Sequence, residues 1–330
     1  YGSITTSAIE TINIVATETT ASTTERVATI GASLTTATTV NFSGLESVTL
    51  DTAVAAATVD ASGLTLGNFI MSATASGLSQ AITGSLVGAD TIYGGGGVDT
   101  IITAGGGDSI VGGTGADVIT SGTGADTIDG GAGNDTITLT EAAASSDQVT
   151  LGWSESGAHI DTVVGFTVGS TGTDVIALDV SELSKVTASG GIDANATIVT
   201  DLFDGNDAGT TDGVQVITTA SKTAADGKNI FVLQSSVIGS TNELEDALES
   251  GGSYALTISA TDDHTVQHDS FFAVYSDGTD SYVASVRIET DASNNAVFAT
   301  GGLEAENLVK ISGVSSIGAT TFVAGNFDFV

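Results

Sequence analysis

Cysteine and proline are both absent from these 330 residues. Without cysteine there is no disulfide, no thiolate metal site and no cysteine nucleophile. Without proline, no prolyl isomerisation can slow folding. Basic residues are scarce too: six Lys and Arg stand against 40 Asp and Glu, a formal charge of −34. A surface that negative repels nucleic acid and anionic lipid, which argues against both as partners, and it draws cations. No run of about 18 apolar residues occurs, so no membrane span is expected. The opening stretch YGSITTSAIE has neither a basic nor an apolar signal-peptide region. The chain starts on Tyr1 rather than Met and is read as a piece of something longer.

What is present points to folded β structure. Only 14% of residues are charged and 41% are hydrophobic, too apolar for an acidic disordered tail. Residues 1–84 are rich in Thr, Ala and Ser and repeat themselves loosely. Ile9 to Ile14 returns as Leu45 to Leu50 after 36 residues, and Asn41-Phe42-Ser43-Gly44-Leu45 returns as Asp60-Ala61-Ser62-Gly63-Leu64 after 19. Ala75-Ser76-Gly77-Leu78 follows. Short alternating runs between Ser-Gly turns predict a parallel β-solenoid with no metal of its own.

From Ser85 to Thr138 the repeat becomes strict. Six nine-residue units carry Asp at 90, 99, 108, 117, 126 and 135. Gly stands two positions before each Asp (88, 97, 106, 115, 124, 133) and Ile two positions after it (92, 101, 110, 119, 128, 137). A glycine turn followed by one central aliphatic residue makes a turn and a very short strand, so two units make one coil and residues 18 apart stack. The isoleucines point inward. Asp90, Asp108 and Asp126 then line one edge, and Asp99, Asp117 and Asp135 the other. Coils stack about 4.8 Å apart. Two carboxylates at that distance repel by about 1 kcal/mol in water and about 3 at an intermediate dielectric. Such columns call for a counter-ion. Carboxylates together with backbone carbonyls form a flexible hard-oxygen set, which suits Ca²⁺ better than Mg²⁺ or Zn²⁺.

The units resemble the repeats-in-toxin (RTX) nonapeptide, glycine-glycine-x-glycine-x-aspartate-x-aliphatic-x. Gly94 to Ile102 and Gly130 to Thr138 match it fully, whereas Ser85, Thr103 and Ser121 replace the first glycine, and Leu86 and Ala104 the second. The resemblance implies a parallel β-roll with Ca²⁺ between stacked turns, each ion held by two aspartates and four carbonyls. Gly95, Gly97 and Asp99 would face Gly112, Thr114 and Asp117; Gly113, Gly115 and Asp117 would face Gly130, Ala132 and Asp135. On the other edge Ala104, Gly106 and Asp108 would face Ser121, Thr123 and Asp126, and Leu86, Gly88 and Asp90 would face Thr103, Gly105 and Asp108. That implies about four sandwiched ions or more, with partial sites at the ends.

Residues 141–330 read as a β-rich C-terminal domain. Asp161 to Phe166 and Asp174 to Leu178 suggest short strands, and Phe271 to Tyr275 with Ser281 to Ile288 suggests a hairpin around residues 276–280. Asn242 is read as the N-cap of a short helix with Glu245 at its third position and Gly251 beyond its end. A second helix is expected over Leu303 to Val309. The predicted class is therefore all-β: a solenoid over 1–84, an RTX β-roll over 85–140 and a β-rich cap or sandwich with one or two short helices.

No catalytic motif appears. Gly152-Trp153-Ser154-Glu155-Ser156-Gly157 has one residue too many for a nucleophile elbow. His264 and His268 lack the glutamate of a zinc protease and sit in a strand-like pattern. Asp204 to Gly209 begins like an EF-hand loop but places Gln215 where the bidentate Glu belongs. The segment His159 to Leu178 is similar to the cap of many RTX rolls, and Asn326-Phe327-Asp328-Phe329-Val330 to the ending of type I secretion substrates. Together with the Thr/Ala-rich solenoid, these features resemble the C-terminal part of a bacterial surface-layer (S-layer) protein. That resemblance implies a secreted, non-enzymatic cell-surface protein, with Ca²⁺, copies of itself in a lattice and the type I secretion machinery as partners. The alternative is the non-catalytic RTX tail of a secreted protease or lipase, or of an adhesin.

Overall fold

Strand after strand of the N-terminal half pairs in parallel, each with the strand one coil away. The computed structural model describes residues 10–16, 27–30, 38–50, 54–71, 77–140, 145–151, 159–169, 173–178, 214–219, 230–256, 270–288, 298, 300–318 and 320–329. They fall into two units, Tyr1–Gly152 with Gly172–Ile176, and Trp153–Thr171 with Ala177–Val330. The near-matches to an elbow, a zinc pair and an EF-hand at 152–157, 264–268 and 204–209 lie outside the described residues.

The strands of the first unit are β1 (Thr11–Ala16), β2 (Val27–Ile30), β3 (Thr39–Gly44), β4 (Ser47–Leu50), β5 (Thr58–Leu64), β6 (Phe69–Met71) and β7 (Ala81–Thr83). They continue as β8 (Thr91–Gly96), β9 (Thr100–Ile102), β10 (Ser109–Thr114), β11 (Val118–Thr120), β12 (Thr127–Ala132), β13 (Thr136–Thr138) and β14 (Gln148–Leu151). Odd-numbered strands build one parallel sheet and even-numbered strands the other. The chain thus alternates between two sheets as it climbs, which is a solenoid passing into a roll.

Register follows the sequence periods. In the roll Ile92 pairs with Ile110 and Ile110 with Ile128, while Ile101 pairs with Ile119 and Ile119 with Ile137, each 18 residues on. All six isoleucines are buried. In the solenoid Asn41 pairs with Asp60, so the 19-residue echo is one coil. The 36-residue echo is not a coil, because it relates β1 to β4, which lie in different sheets. Between its sheets the solenoid buries larger side chains than the roll: Phe42, Leu50, Leu64, Phe69 and Met71 are buried, with the Phe42 and Phe69 rings 5.4 Å apart. Aromatic filling gives the solenoid an apolar core that the single-isoleucine roll lacks.

β15 (Asp161–Val164) and β16 (Val175–Leu178) follow in sequence. The second unit continues with β17 (Val214–Ile217), β18 (Ile230–Leu233), the helix α1 (Thr241–Leu248), β19 (Ser270–Ser276), β20 (Ser281–Ile288), β21 (Leu303–Ser312) and β22 (Phe327–Phe329). Its sheet runs β15-β21-β20-β19-β18-β17, with the β19–β20 hairpin antiparallel as the sequence predicts.

Two helix expectations need correction. The N-cap of α1 is Ser240, not Asn242: its hydroxyl accepts from the Glu243 N–H, and the Glu243 carboxylate accepts from the Gly239 N–H. Both candidates have a glutamate three residues on, but the Glu245 carboxylate accepts from the Ala305 N–H, which leaves Ser240 as the cap. The second helix does not exist. Leu303 to Val309 lies within β21, which pairs antiparallel with β20. The Glu249 carboxylate grips the turn that leads into it, accepting from the N–H groups of Gly301, Gly302 and Leu303.

Phe231, Leu244, Leu248, Phe271, Tyr275 and Phe298 centre the core of this unit, with Phe231 and Phe271 edge-to-face at 5.4 Å. Phe271→Ala is expected to destabilise it by about 3–5 kcal/mol, the usual loss for a buried phenylalanine. A urea midpoint unchanged by that substitution would contradict the packing described.

Candidate metal centre

Each aspartate of the roll is locked to its neighbour one coil earlier by a backbone hydrogen bond. The Asp90 N–H donates to Asp108 Oδ1 at 2.8 Å, Asp99 to Asp117 at 2.7 Å, Asp108 to Asp126 at 2.8 Å and Asp117 to Asp135 at 2.8 Å. The ladder starts on solenoid residues, with the Phe69 N–H on Asp90 Oδ1 and the Gln80 N–H on Asp99 Oδ1. Asp90, Asp108 and Asp126 form one column, and Asp99, Asp117 and Asp135 the other. All six are buried, Asp99 completely.

The first column outlasts the nonapeptides. Asp126 N–H donates to Asp147 Oδ1 at 2.9 Å, and Asp147 N–H to Asp174 Oδ1 at 3.0 Å. The nonapeptide pattern ends by residue 140 and does not include these two buried carboxylates. A signal was available: Asp147-x-Val149 and Asp174-x-Ile176 keep the aspartate-x-aliphatic spacing after the glycines stop.

One oxygen of each carboxylate is thus engaged. The Oδ2 atoms of Asp99 and Asp117 are buried without a hydrogen-bond partner. A Cβ built on Gly94 would meet Asp99 Oδ2 at 2.7 Å and the Gly112 carbonyl oxygen at 2.5 Å. A Cβ on Gly112 would meet Asp117 Oδ2 at 2.6 Å and the Gly130 carbonyl oxygen at 2.5 Å. In both places an unpartnered carboxylate oxygen and a backbone carbonyl oxygen lie close to the same point. Burying a carboxylate oxygen unpaired is costly. A hard cation resolves it, and carboxylate plus carbonyl is the donor set Ca²⁺ prefers.

The remaining carbonyls split into two groups. Thr114, Thr123 and Ala132 each accept a backbone N–H, from Gly97, Gly106 and Gly115 respectively, and Ala104 accepts from Thr123. Each retains a second lone pair. Gly105 bridges to Thr123. The carbonyls of Gly88, Gly95, Gly97, Gly106, Gly113 and Gly115 lie against the glycine one coil on. On the Asp90 edge, Ser85, Thr103 and Ser121 are buried hydroxyl residues at the position held by Gly94, Gly112 and Gly130 on the other. The Thr103 hydroxyl donates to the Ser121 carbonyl, and the Leu86 side chain is exposed. Among the described residues no three acidic or histidine side chains gather round one point. An ion in the roll therefore relies on backbone oxygens as much as on carboxylates.

Residues 86–110 and 102–137 match the family described as RTX calcium-binding nonapeptide repeat (4 copies). The roll is built of RTX repeats. No curated protein and no solved structure matches the chain. The RTX match and the convergent oxygens agree on calcium. Asp99, Asp117 and Asp135 with the Gly112 and Gly130 carbonyls would hold it on the glycine edge, and bound calcium would supply the positive charge that the buried carboxylates lack.

Burial pushes the carboxyls of the RTX ladder up, Asp90 and Asp99 to about 6 and Asp135 to about 7, with Asp117 adding repulsion to the last two. Asp108 and Asp117 move in the same direction, again through burial. The folded state thus binds protons more tightly than the unfolded chain, whose carboxyls titrate near 3.8. Stability of the ion-free roll therefore falls as pH rises from about 4 through about 7. In EDTA, circular dichroism should show more β signal at pH 4.5 than at pH 8. An equal signal at both would contradict burial of these groups in the metal-free fold.

Proposed function

We propose that this chain is a non-enzymatic, calcium-dependent structural segment of an S-layer-type bacterial surface protein, exported by a type I system and folded by extracellular Ca²⁺. The carrying observation is the buried ladder itself. It pairs carboxylate and carbonyl oxygens at coil intervals, and it continues a solenoid that needs no metal. Such a stack rigidifies only where calcium is plentiful, outside the cell. Copies of the same chain are the intended partners in a lattice, and calcium screens the repulsion between surfaces this acidic.

Purified chain given millimolar Ca²⁺ should form sheets or ordered oligomers visible by negative-stain electron microscopy, and EDTA should disperse them. A chain that binds calcium fully yet stays monomeric at high concentration contradicts the lattice.

A further inference from the structure

The first rung of the ladder differs from the rungs of the glycine edge. Asp90 Oδ1 accepts from the Phe69 N–H at 2.7 Å and from the Ser85 hydroxyl at 2.6 Å, and its Oδ2 accepts from the Ser85 N–H at 2.7 Å. Ser85 is itself fully buried and fixed, its hydroxyl oxygen accepting the Gly88 N–H at 3.1 Å. Asp99 and Asp117 have no such donor on Oδ2. The equivalents of Ser85 in their units are Gly94 and Gly112, where a side chain would strike the carboxylate. Glycine there leaves two acceptors facing one another. At residue 85 the backbone N–H reaches one carboxylate oxygen, and the hydroxyl, which glycine lacks, reaches the other.

We propose that Ser85 takes the place of calcium at the first rung, so that Asp90 is held by protein donors alone and the RTX metal sites of its edge begin one coil later. Three hydrogen bonds occupy most of the oxygen lone pairs that an added ion would use, so such a carboxylate gains less from calcium than one with a bare oxygen does. Of the sandwiched pairs that the RTX pattern implies, the one between Asp90 and Asp108 then binds no ion. The consequence for folding is directional. Phe69, which gives Asp90 one of its donors, belongs to the aromatic-filled solenoid, so the rung between solenoid and roll forms before calcium arrives. The metal-dependent coils are laid down on a surface already shaped to receive them.

The proposal rests on the calcium reading of the roll, and counting ions separates the two. Calcium bound per full-length chain is measured by equilibrium dialysis and native mass spectrometry at saturating Ca²⁺ for the wild type, Asp90→Asn, Asp117→Asn and Ser85→Gly. Asp90→Asn should bind as many ions as the wild type. Asp117→Asn should bind at least one fewer. Ser85→Gly removes the hydroxyl donor and restores the glycine of the repeat, and should bind one more. Loss of an ion in Asp90→Asn overturns the proposal while leaving the calcium reading intact. If Asp90→Asn does not fold, Ser85→Gly decides alone: one ion gained supports the proposal, and an unchanged count overturns it. A wild type that binds no calcium overturns both.

Discussion

Removing calcium with EDTA at pH 8 should abolish most of the β structure of the RTX roll, and restoring millimolar Ca²⁺ should bring it back. The ladder places buried carboxylates on successive coils, and at about 4.8 Å each adjacent pair repels by about 3 kcal/mol at an intermediate dielectric. Against that stands one buried isoleucine per unit, which cannot also offset the entropy of ordering glycine-rich turns. Extracellular modules bind Ca²⁺ with dissociation constants of about 10⁻⁴ to 10⁻³ M. At tenfold above such a constant each site adds about 1.4 kcal/mol, so three or four sites add on the order of 4–6 kcal/mol. That is comparable to the whole stability of a typical domain, about 5–15 kcal/mol. The solenoid, with its Phe42–Phe69 interior, is expected to keep its structure in EDTA. Circular dichroism with hydrogen exchange resolved to residues 86–137 and 38–71 is the measurement. Protection of the roll that persists unchanged in chelator would defeat the calcium switch.

Gly115→Ala should be among the most damaging single methyls that can be added to the roll. Gly115 has φ +139°, a conformation L side chains rarely adopt. A Cβ there would also run into the Gly97 carbonyl oxygen of the coil below. Strained backbone costs about 1–3 kcal/mol and overpacking about 1–3 more, and here the obstacle is backbone that cannot swing aside. A loss of about 3–5 kcal/mol at saturating calcium is expected. Gly251→Ala is the control: φ is +91° but nothing lies within 4 Å of the added carbon, so only the backbone strain remains, about 1–2 kcal/mol. Urea midpoints of the two variants in Ca²⁺ make the comparison. Equal losses would show that coil stacking at Gly115 is looser than described.

The repeat was legible because its chemistry is written at a fixed spacing. Asp, Gly and Ile recur in phase, and a nine-residue phase that returns to the same edge every 18 residues leaves one stacking register. Where the spacing drifted, legibility failed. The solenoid coils vary, from the 28 residues between Thr11 and Thr39 to the 19 between Thr39 and Thr58, so the 36-residue echo could pass for a coil although its ends lie in different sheets. Asp147 and Asp174 went unrecognised because the 27 residues between them conceal a rung that only hydrogen bonding reveals. Leu303 to Val309 could be read as a helix because short apolar runs suit either period. Pairing with β20 and the grip of Glu249 on the preceding backbone made it a strand, contacts that come from residues far away in sequence.

By itself, then, the sequence determined that residues 85–138 wind as a two-sheeted roll with isoleucine inside and paired aspartate columns at its edges. Local periodicity and the backbone freedom of glycine suffice for that, since every contact repeats the previous one. Only the tertiary structure decided which carboxylate oxygens find a donor. Asp90 and Asp99 sit in equivalent places of the same motif, yet one has both oxygens satisfied and the other keeps a bare Oδ2. The difference arises from where residue 85 places its atoms: its backbone N–H reaches Asp90 Oδ2, and its hydroxyl, which the repeat pattern registers merely as a missing glycine, reaches Oδ1. Whether a buried charge is met by a proton donor or needs a cation depends on where those few atoms point, and that direction is set by the packing of one coil on the next.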